Sequence, residues 1–296
     1  MAAAFKQMKW LITGANGQLG RSLQDTLKVK GIEYIALSKS DLDVSDASRT
    51  KALFSELEPG VVLNAAAFTN VERAESEQIE AFEINAIGAS NVAQASKIVG
   101  AKLVHFSTDY VFSGKRDTPW EVSDSTEPTS IYGKSKLAGE VEVSTIYPDS
   151  SLIIRTAWLY SKYGKNFYKT ILNLALKDQN PINVVADQFG QPTNAMDLAE
   201  IAVSAISKDL PPGIYHGTSS GESSWHEFAV EIFKLAGADS NRVKAISSKD
   251  YEAKASRPDF SVLDNSKWND FGMEPIGPWQ DSVISAFPNI YESLSQ

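Results

Sequence analysis

The feature that narrows the fold most is a glycine-punctuated turn near the start of the chain, Gly14-Ala-Asn-Gly17-Gln-Leu-Gly20. The run before it, residues 9–13, is short and apolar and predicts a buried strand. Residues 17–30 after it carry Leu19, Leu23 and Leu27 at four-residue spacing, which predicts an amphipathic helix stopped by Gly31. In that order, the helix start offers free N–H groups and the glycines let a pyrophosphate approach the backbone closely. A turn that merely packs strand against helix is the plainer alternative. It is disfavoured because a second strand follows at 32–37 and completes a βαβ unit.

The same alternation continues. Asp46 is placed to cap a helix over 47–57, with Pro59 just beyond it. Strands are predicted at 61–64, 102–107 and 151–155, a long helical tract at 81–99 and a helix at 132–145. This predicts an α/β fold, a Rossmann-type doubly wound parallel sheet. Past residue 156 the rhythm loosens, with helices expected at 166–176 and 197–207 and strands at 182–185 and 214–216. A further helix at 225–236 opens on a capping box, Ser224 with Glu227, and closes at Gly237. A last helix is expected near 278–287. The division expected is a dinucleotide-binding domain over 1–160 and, over 161–296, a smaller interleaved C-terminal substrate-binding lobe. Elements at about 180–217 should return to the first domain.

Composition removes several chemistries. With no cysteine there is no disulfide framework, zinc ribbon, iron–sulfur site or thiol nucleophile. The three histidines, His105, His216 and His226, are too scattered for a typical metal site, so no metal is expected. A formal charge of −9 argues against nucleic acid and anionic membranes as partners, since both need a basic footprint. No run approaches the roughly eighteen apolar residues of a membrane span, and residues 1–10 lack the apolar stretch of a signal peptide. A cytoplasmic protein is expected.

A second signal is Tyr132-Gly-Lys-Ser-Lys136. Residues four apart share a helix face, so Tyr132 and Lys136 can present a phenol and an ammonium to one cavity. A neighbouring ammonium is expected to favour the phenolate and to lower the tyrosine pKa. Alone the pattern is weak. It gains weight after a glycine fingerprint and a buried strand ending in Ser107 and Thr108.

With these motifs the chain resembles the extended short-chain dehydrogenase/reductase superfamily and, within it, the dTDP-4-dehydrorhamnose reductase family. The resemblance spans nearly the whole chain. It rests on the ordered set Gly14-x-x-Gly17-x-x-Gly20, Asn64-Ala-Ala-Ala-Phe-Thr69, Ser107-Thr-Asp-Tyr-Val-Phe112, Tyr132-Gly-Lys-Ser-Lys136, Arg155-Thr-Ala-Trp158, Asp187-Gln-Phe-Gly-Gln-Pro-Thr193 and Ala255-Ser-Arg-Pro258. It implies NAD(P)H-dependent reduction of the C4 ketone of dTDP-4-dehydro-L-rhamnose to dTDP-L-rhamnose. In that scheme Tyr132 donates the proton, Lys136 holds the nicotinamide ribose and Thr108 hydrogen-bonds the sugar carbonyl. Gly17, Gln18 and Leu19 would line the pyrophosphate, Asp43 and Val44 the adenine, and Ala67, Phe68, Thr69 and Phe106 the rest of the dinucleotide. Asp109 and Trp158 would contact the sugar. Arg257 would meet the substrate diphosphate with a forked guanidinium.

Plainer roles compete at several positions: Trp158 as a core aromatic, Arg155 as a structural ion-pair member, His105 as a core histidine and Lys134 as a solvent-facing side chain. Two departures from the family sharpen the expectations. Where an NAD-preferring fold usually ends its second strand in Asp or Glu, this chain reads Ser38-Lys39-Ser40, so NADPH should be accepted at least as well as NADH. The resemblance also implies that some relatives dimerise through magnesium held by glutamates. The matching positions here are Ser22 and Met196, which are poor magnesium ligands, so a monomer is expected.

Other functions fit less well. Gly217-Thr-Ser219-Ser-Gly221 matches a hydrolase nucleophile elbow, yet the one later histidine, His226, is only seven residues on. A sugar 4,6-dehydratase would want a second acid after Thr108-Asp109, where Tyr110 stands. A 4-epimerase, another nucleotide-sugar 4-reductase and a non-catalytic dinucleotide-binding regulator stay as alternatives, although Tyr132 and Lys136 are both intact.

Overall fold

The structure, a computed structural model, describes residues 8–294. Most of the segment inspected above for a signal peptide, residues 1–7, lies outside them. Six parallel strands form the central sheet: β1 (Trp10–Thr13), β2 (Tyr34–Leu37), β3 (Val61–Asn64), β4 (Lys102–Thr108), β5 (Ser151–Thr156) and β6 (Gly213–His216). Their order is β6-β5-β4-β3-β1-β2, the doubly wound arrangement expected. Successive side chains of a strand point to opposite faces. Ile12, Leu63, Val104 and Ile154 therefore join one core and Leu11, Val62, Leu103 and Ile153 the other.

Helices cover both faces. The first core takes Leu19, Leu23 and Leu27 from α1 (Gln18–Val29), together with Leu198, Ala202 and Ile206 from a helix far along the chain. The second takes Leu53 and Phe54 from α2 (Ala47–Leu57), Val92 from α3 (Gly88–Val99) and Val143 from α4 (Ile131–Ile146). Burying a leucine such as Leu23, fully enclosed here, stabilises the fold by about 1.5–3 kcal/mol.

Beyond β5 come α5 (Phe167–Lys177), α6 (Ala195–Ser207), α7 (Trp225–Leu235) and α8 (Trp279–Glu292). α6 packs on α1, and β6 pairs with β5, so both complete the first sheet and its core. The strand Ile182–Val185 instead pairs in parallel with Val243–Ile246 in a separate small ladder. A third core joins Tyr168 and Ile171 of α5 to Phe228 and Phe233 of α7 and Val283 of α8.

Two local differences from the sequence expectation stand out. The tract over 81–99 is not one continuous α-helix: Gln78–Phe82 is α, Glu83–Ile87 is a π turn, and α3 follows. The last helix runs on through Pro288 to Glu292 rather than ending near 287. The caps agree with expectation. Asp46 accepts from the Arg49 N–H, and Ser224 and Glu227 form the full reciprocal box.

Candidate active site

The parallel order reverses direction between β1 and β3, and the glycine turn sits at the carboxyl end of β1, at that switch point. Gly14 has φ +67°, a conformation that favours glycine, and a Cβ there would lie 2.6 Å from the Ala65 backbone. A Cβ on Gly20 would lie 2.3 Å from the Gly14 carbonyl oxygen. α1 begins with Gly17 at its N-cap, with no side-chain cap and no acidic residue in its first turn. Its leading N–H groups are thus left to a ligand, and the surface fits an anionic dinucleotide. Gln18 is turned elsewhere, its amide oxygen accepting from Ser161 Oγ (3.1 Å) and Asn166 Nδ2 (2.8 Å), while Leu19 packs into the core.

The loop after β3 carries Ala67, Phe68 and Thr69. Its main chain is fixed by Asn85, which accepts from the Phe68 N–H (2.8 Å) and donates to the Phe68 carbonyl (3.0 Å). Asn85 also donates to Ser135 Oγ (2.9 Å) on the helix that bears Tyr132. The π turn makes this reach possible by aiming Asn85 into the interior, next to Gly139, where a Cβ would lie 2.1 Å from the Asn85 carbonyl oxygen. Asn85 stands in none of the sequence motifs, although it ties this loop to α4. Beyond β2, Asp43 accepts from the Ser45 N–H and hydroxyl, and Val44 is buried against Gly88. Lys39 is largely exposed, its ammonium 3.6 Å from Glu80.

The second cluster lies where β4 ends. Ser130 caps α4, which then brings Tyr132 and Lys136 onto one side. Lys136 is buried and donates to the Phe106 carbonyl (2.6 Å). Thr108 donates to Asp109 Oδ1 (2.9 Å), accepts from the Tyr110 N–H (3.2 Å), and its hydroxyl lies by the Tyr132 phenol. Tyr110 meets the Tyr132 ring edge-on at 5.5 Å. Lys134 faces solvent.

The electrostatics differ from the sequence expectation. Burial pushes the Tyr132 phenol up to about 12, a trend that Thr108 opposes and the Asp109 charge reinforces. Burial also lowers the Lys136 ammonium to about 8, although Glu140 pulls it up. The expected stabilisation of phenolate by Lys136 is therefore overturned: desolvation of both groups dominates, and near neutral pH the pair is a neutral phenol beside an ammonium. Burial raises the Asp109 carboxyl to about 6, against hydrogen bonds from Ser261 and Thr108.

Trp158, packed against the third core, is half-buried with φ +45° and stacks on Trp225 at 3.6 Å. Gly190 makes room for it, since a Cβ there would lie 2.5 Å from the Trp158 ring. Arg257 pairs with Glu72. Arg155 forms a buried ion pair with Glu140, and His105 is a core histidine bonded to Asn64, both in line with their plainer roles. The elbow motif assembles no triad: Ser219 is fully buried, and His226 is bonded to the Val243 carbonyl. Among the described residues no cluster of three or more His, Cys, Asp or Glu could hold a metal, and no helix is long and apolar enough to cross a membrane.

Comparison with known proteins gives a consistent pattern. Residues 8–291 match the model of the RmlD substrate binding domain family. The chain is 40% identical to a dTDP-4-dehydrorhamnose reductase of Streptomyces griseus over 96% of its own length and 94% of that protein. It is 38% identical to a dTDP-4-keto-6-deoxy-D-glucose reductase of Streptomyces niveus, covering 95% and 96%. A crystal structure of dTDP-4-dehydrorhamnose reductase from Bacillus anthracis in complex with NADP superposes with a TM-score of 0.91 at 40% identity, covering 95% of this chain and 99% of that one.

Proposed function

The chain belongs to the RmlD substrate binding domain family, and on that premise we propose that it reduces the C4 ketone of dTDP-4-dehydro-L-rhamnose to dTDP-L-rhamnose with NADPH or NADH. The support is the convergence of Thr108, Tyr132 and Lys136 at the carboxyl end of β4, on the sheet edge that carries the glycine cradle. When bound, the reduced nicotinamide supplies the hydride that C4 accepts.

The chain supplies the proton and the geometry. Tyr132 is protonated at neutral pH and donates its hydroxyl proton to the C4 oxygen, so hydride plus proton convert the ketone to an alcohol. Thr108 hydrogen-bonds that oxygen, and Asp109 and Trp158 contact the hexose. Lys136, anchored on the Phe106 carbonyl, holds the nicotinamide ribose and keeps its charge at pH 7. Gly14, Gly17 and Gly20 with the start of α1 take the pyrophosphate, and Asp43 and Val44 the adenine. Arg257 takes the substrate diphosphate. A biosynthetic nicotinamide enzyme of this kind works in the cytoplasm.

Supplying dTDP-4-dehydro-L-rhamnose and following the absorbance of the reduced cofactor tests the proposal. Tyr132→Phe should lower kcat by about 10²–10⁴-fold. No turnover by the wild type, or full activity in the variant, would refute it. The Streptomyces niveus relative favours a second reading, reduction of dTDP-4-keto-6-deoxy-D-glucose, and running both sugars side by side separates the two. For the cofactor, positions 38–40 hold no Asp or Glu, the nearby Asp41 carboxylate is already engaged by the Ser38 N–H (2.9 Å) and hydroxyl (2.6 Å), and Lys39 stands close by. The ratio of kcat/KM for NADPH to that for NADH should therefore be one or greater, and a strong NADH preference would contradict this.

A further inference from the structure

One short element touches three parts of the proposed site. The turn Val71–Ala74, capped by Asn70, follows directly on the Phe68–Thr69 loop. Just past it, Glu75 accepts from the N–H of Ile131 (2.9 Å), the first residue of the helix that carries Tyr132. Within it, Glu72 reaches the far end of the chain. Its Oε2 accepts from the Lys254 N–H (2.9 Å) and the Ala255 N–H (3.3 Å), and its Oε1 accepts from Arg257 Nη2 (2.5 Å). Arg257 Nη1 turns back to the Ala255 carbonyl (3.4 Å).

An exposed ion pair alone would contribute little. Here one carboxylate takes three hydrogen bonds from a single four-residue stretch, two of them main-chain, so it fixes the backbone as well as the guanidinium. A cleft of about 330 Å³ opens beside the pair, lined by Arg73, Tyr251, Lys254 and Arg257 together with Glu72. An unrestrained arginine loses rotamer freedom when it binds an anion, whereas one already held loses less.

We propose that Glu72 is a positioning residue for the substrate's diphosphate, holding the 254–257 segment and the Arg257 fork in the geometry that receives it. The proposal rests on the reading of this chain as a nucleotide-diphosphate-sugar reductase. Glu72 acts through Arg257, so the two residues are energetically coupled.

Calorimetric titration of the full chain with dTDP, and separately with NADPH, tests this without needing turnover. Glu72→Ala should weaken dTDP about tenfold and leave NADPH within about twofold, while in an Arg257→Ala background it should cost less than about twofold more. Glu72→Gln keeps an oxygen for the two main-chain N–H groups and loses only the ionic tether. It should bind NADPH normally and dTDP more weakly than the wild type. Unchanged dTDP affinity in both variants, equal loss for both ligands, or additivity with Arg257→Ala would overturn the proposal. Failure of the wild type itself to bind dTDP would instead overturn the proposed function, and the role of Glu72 with it.

Discussion

Tyr132 and Lys136 show how burial reverses an argument made from sequence spacing. Their four-residue spacing on a helix predicts an exchange of charge, yet desolvation acts on each separately and moves the phenol up and the ammonium down. For a reductase the result suits the proposed roles, because Tyr132, the proposed proton donor, stays protonated and the group that loses its charge first is the lysine. The pH dependence follows with a definite sign. Below about 8 Lys136 is a cation and the free enzyme can hold an anionic cofactor; above it that charge is lost, while Tyr132 remains protonated to about 12. A plot of log kcat/KM for NADPH against pH should be level near neutrality and fall on the alkaline side from about 8. A profile level to pH 10 would count against the lysine assignment.

The π turn at Glu83–Ile87 is what lets one helical tract serve two purposes. Its wider turn directs Asn85 inward to hold both polar groups of the Phe68 main chain, and α3 then resumes with Val92 facing the second core. Asn85→Ala strands a buried N–H and carbonyl, so it should destabilise the protein by about 1–3 kcal/mol in urea unfolding and raise KM for NADPH. Wild-type values for both would remove Asn85 from the site. Little of this was legible beforehand. Strands, caps and the glycine turn are written in local signals such as Asp46 before 47–57 or Ser224 with Glu227, and these agreed with the structure. A π turn leaves the apolar spacing of a helix almost unaltered, so 81–99 read as continuous. Glu72 was invisible for another reason: its partners lie 182 residues or more away, and nothing around it marks it off from a solvated surface acid.

At the level of the whole molecule, the faces of α1 and α6 are occupied by each other. Ser22 is buried and donates to the Gln18 carbonyl (3.1 Å), and Thr26 donates to Met196 Sδ (3.3 Å). Neither Ser22 nor Met196 offers a magnesium ion the anionic oxygen it binds best. Light scattering should therefore return the monomer mass of 32.3 kDa with or without magnesium, and a magnesium-dependent dimer would contradict this. The net charge of −9 belongs to the same scale, since both proposed ligands are anions and the positive potential must come from a few places: the start of α1, Lys136 and Arg257. The contribution of β6 and α6 to the first sheet also bears on how such chains can be recombined. A chimera joined near residue 160 would take its first five strands from one parent and, from the other, the sixth strand and the helix that seals α1. Leu23 and Leu198 would then come from sequences never selected to interlock. Such a chimera should therefore be less stable than either parent, with the loss centred on the packing between α1 and α6.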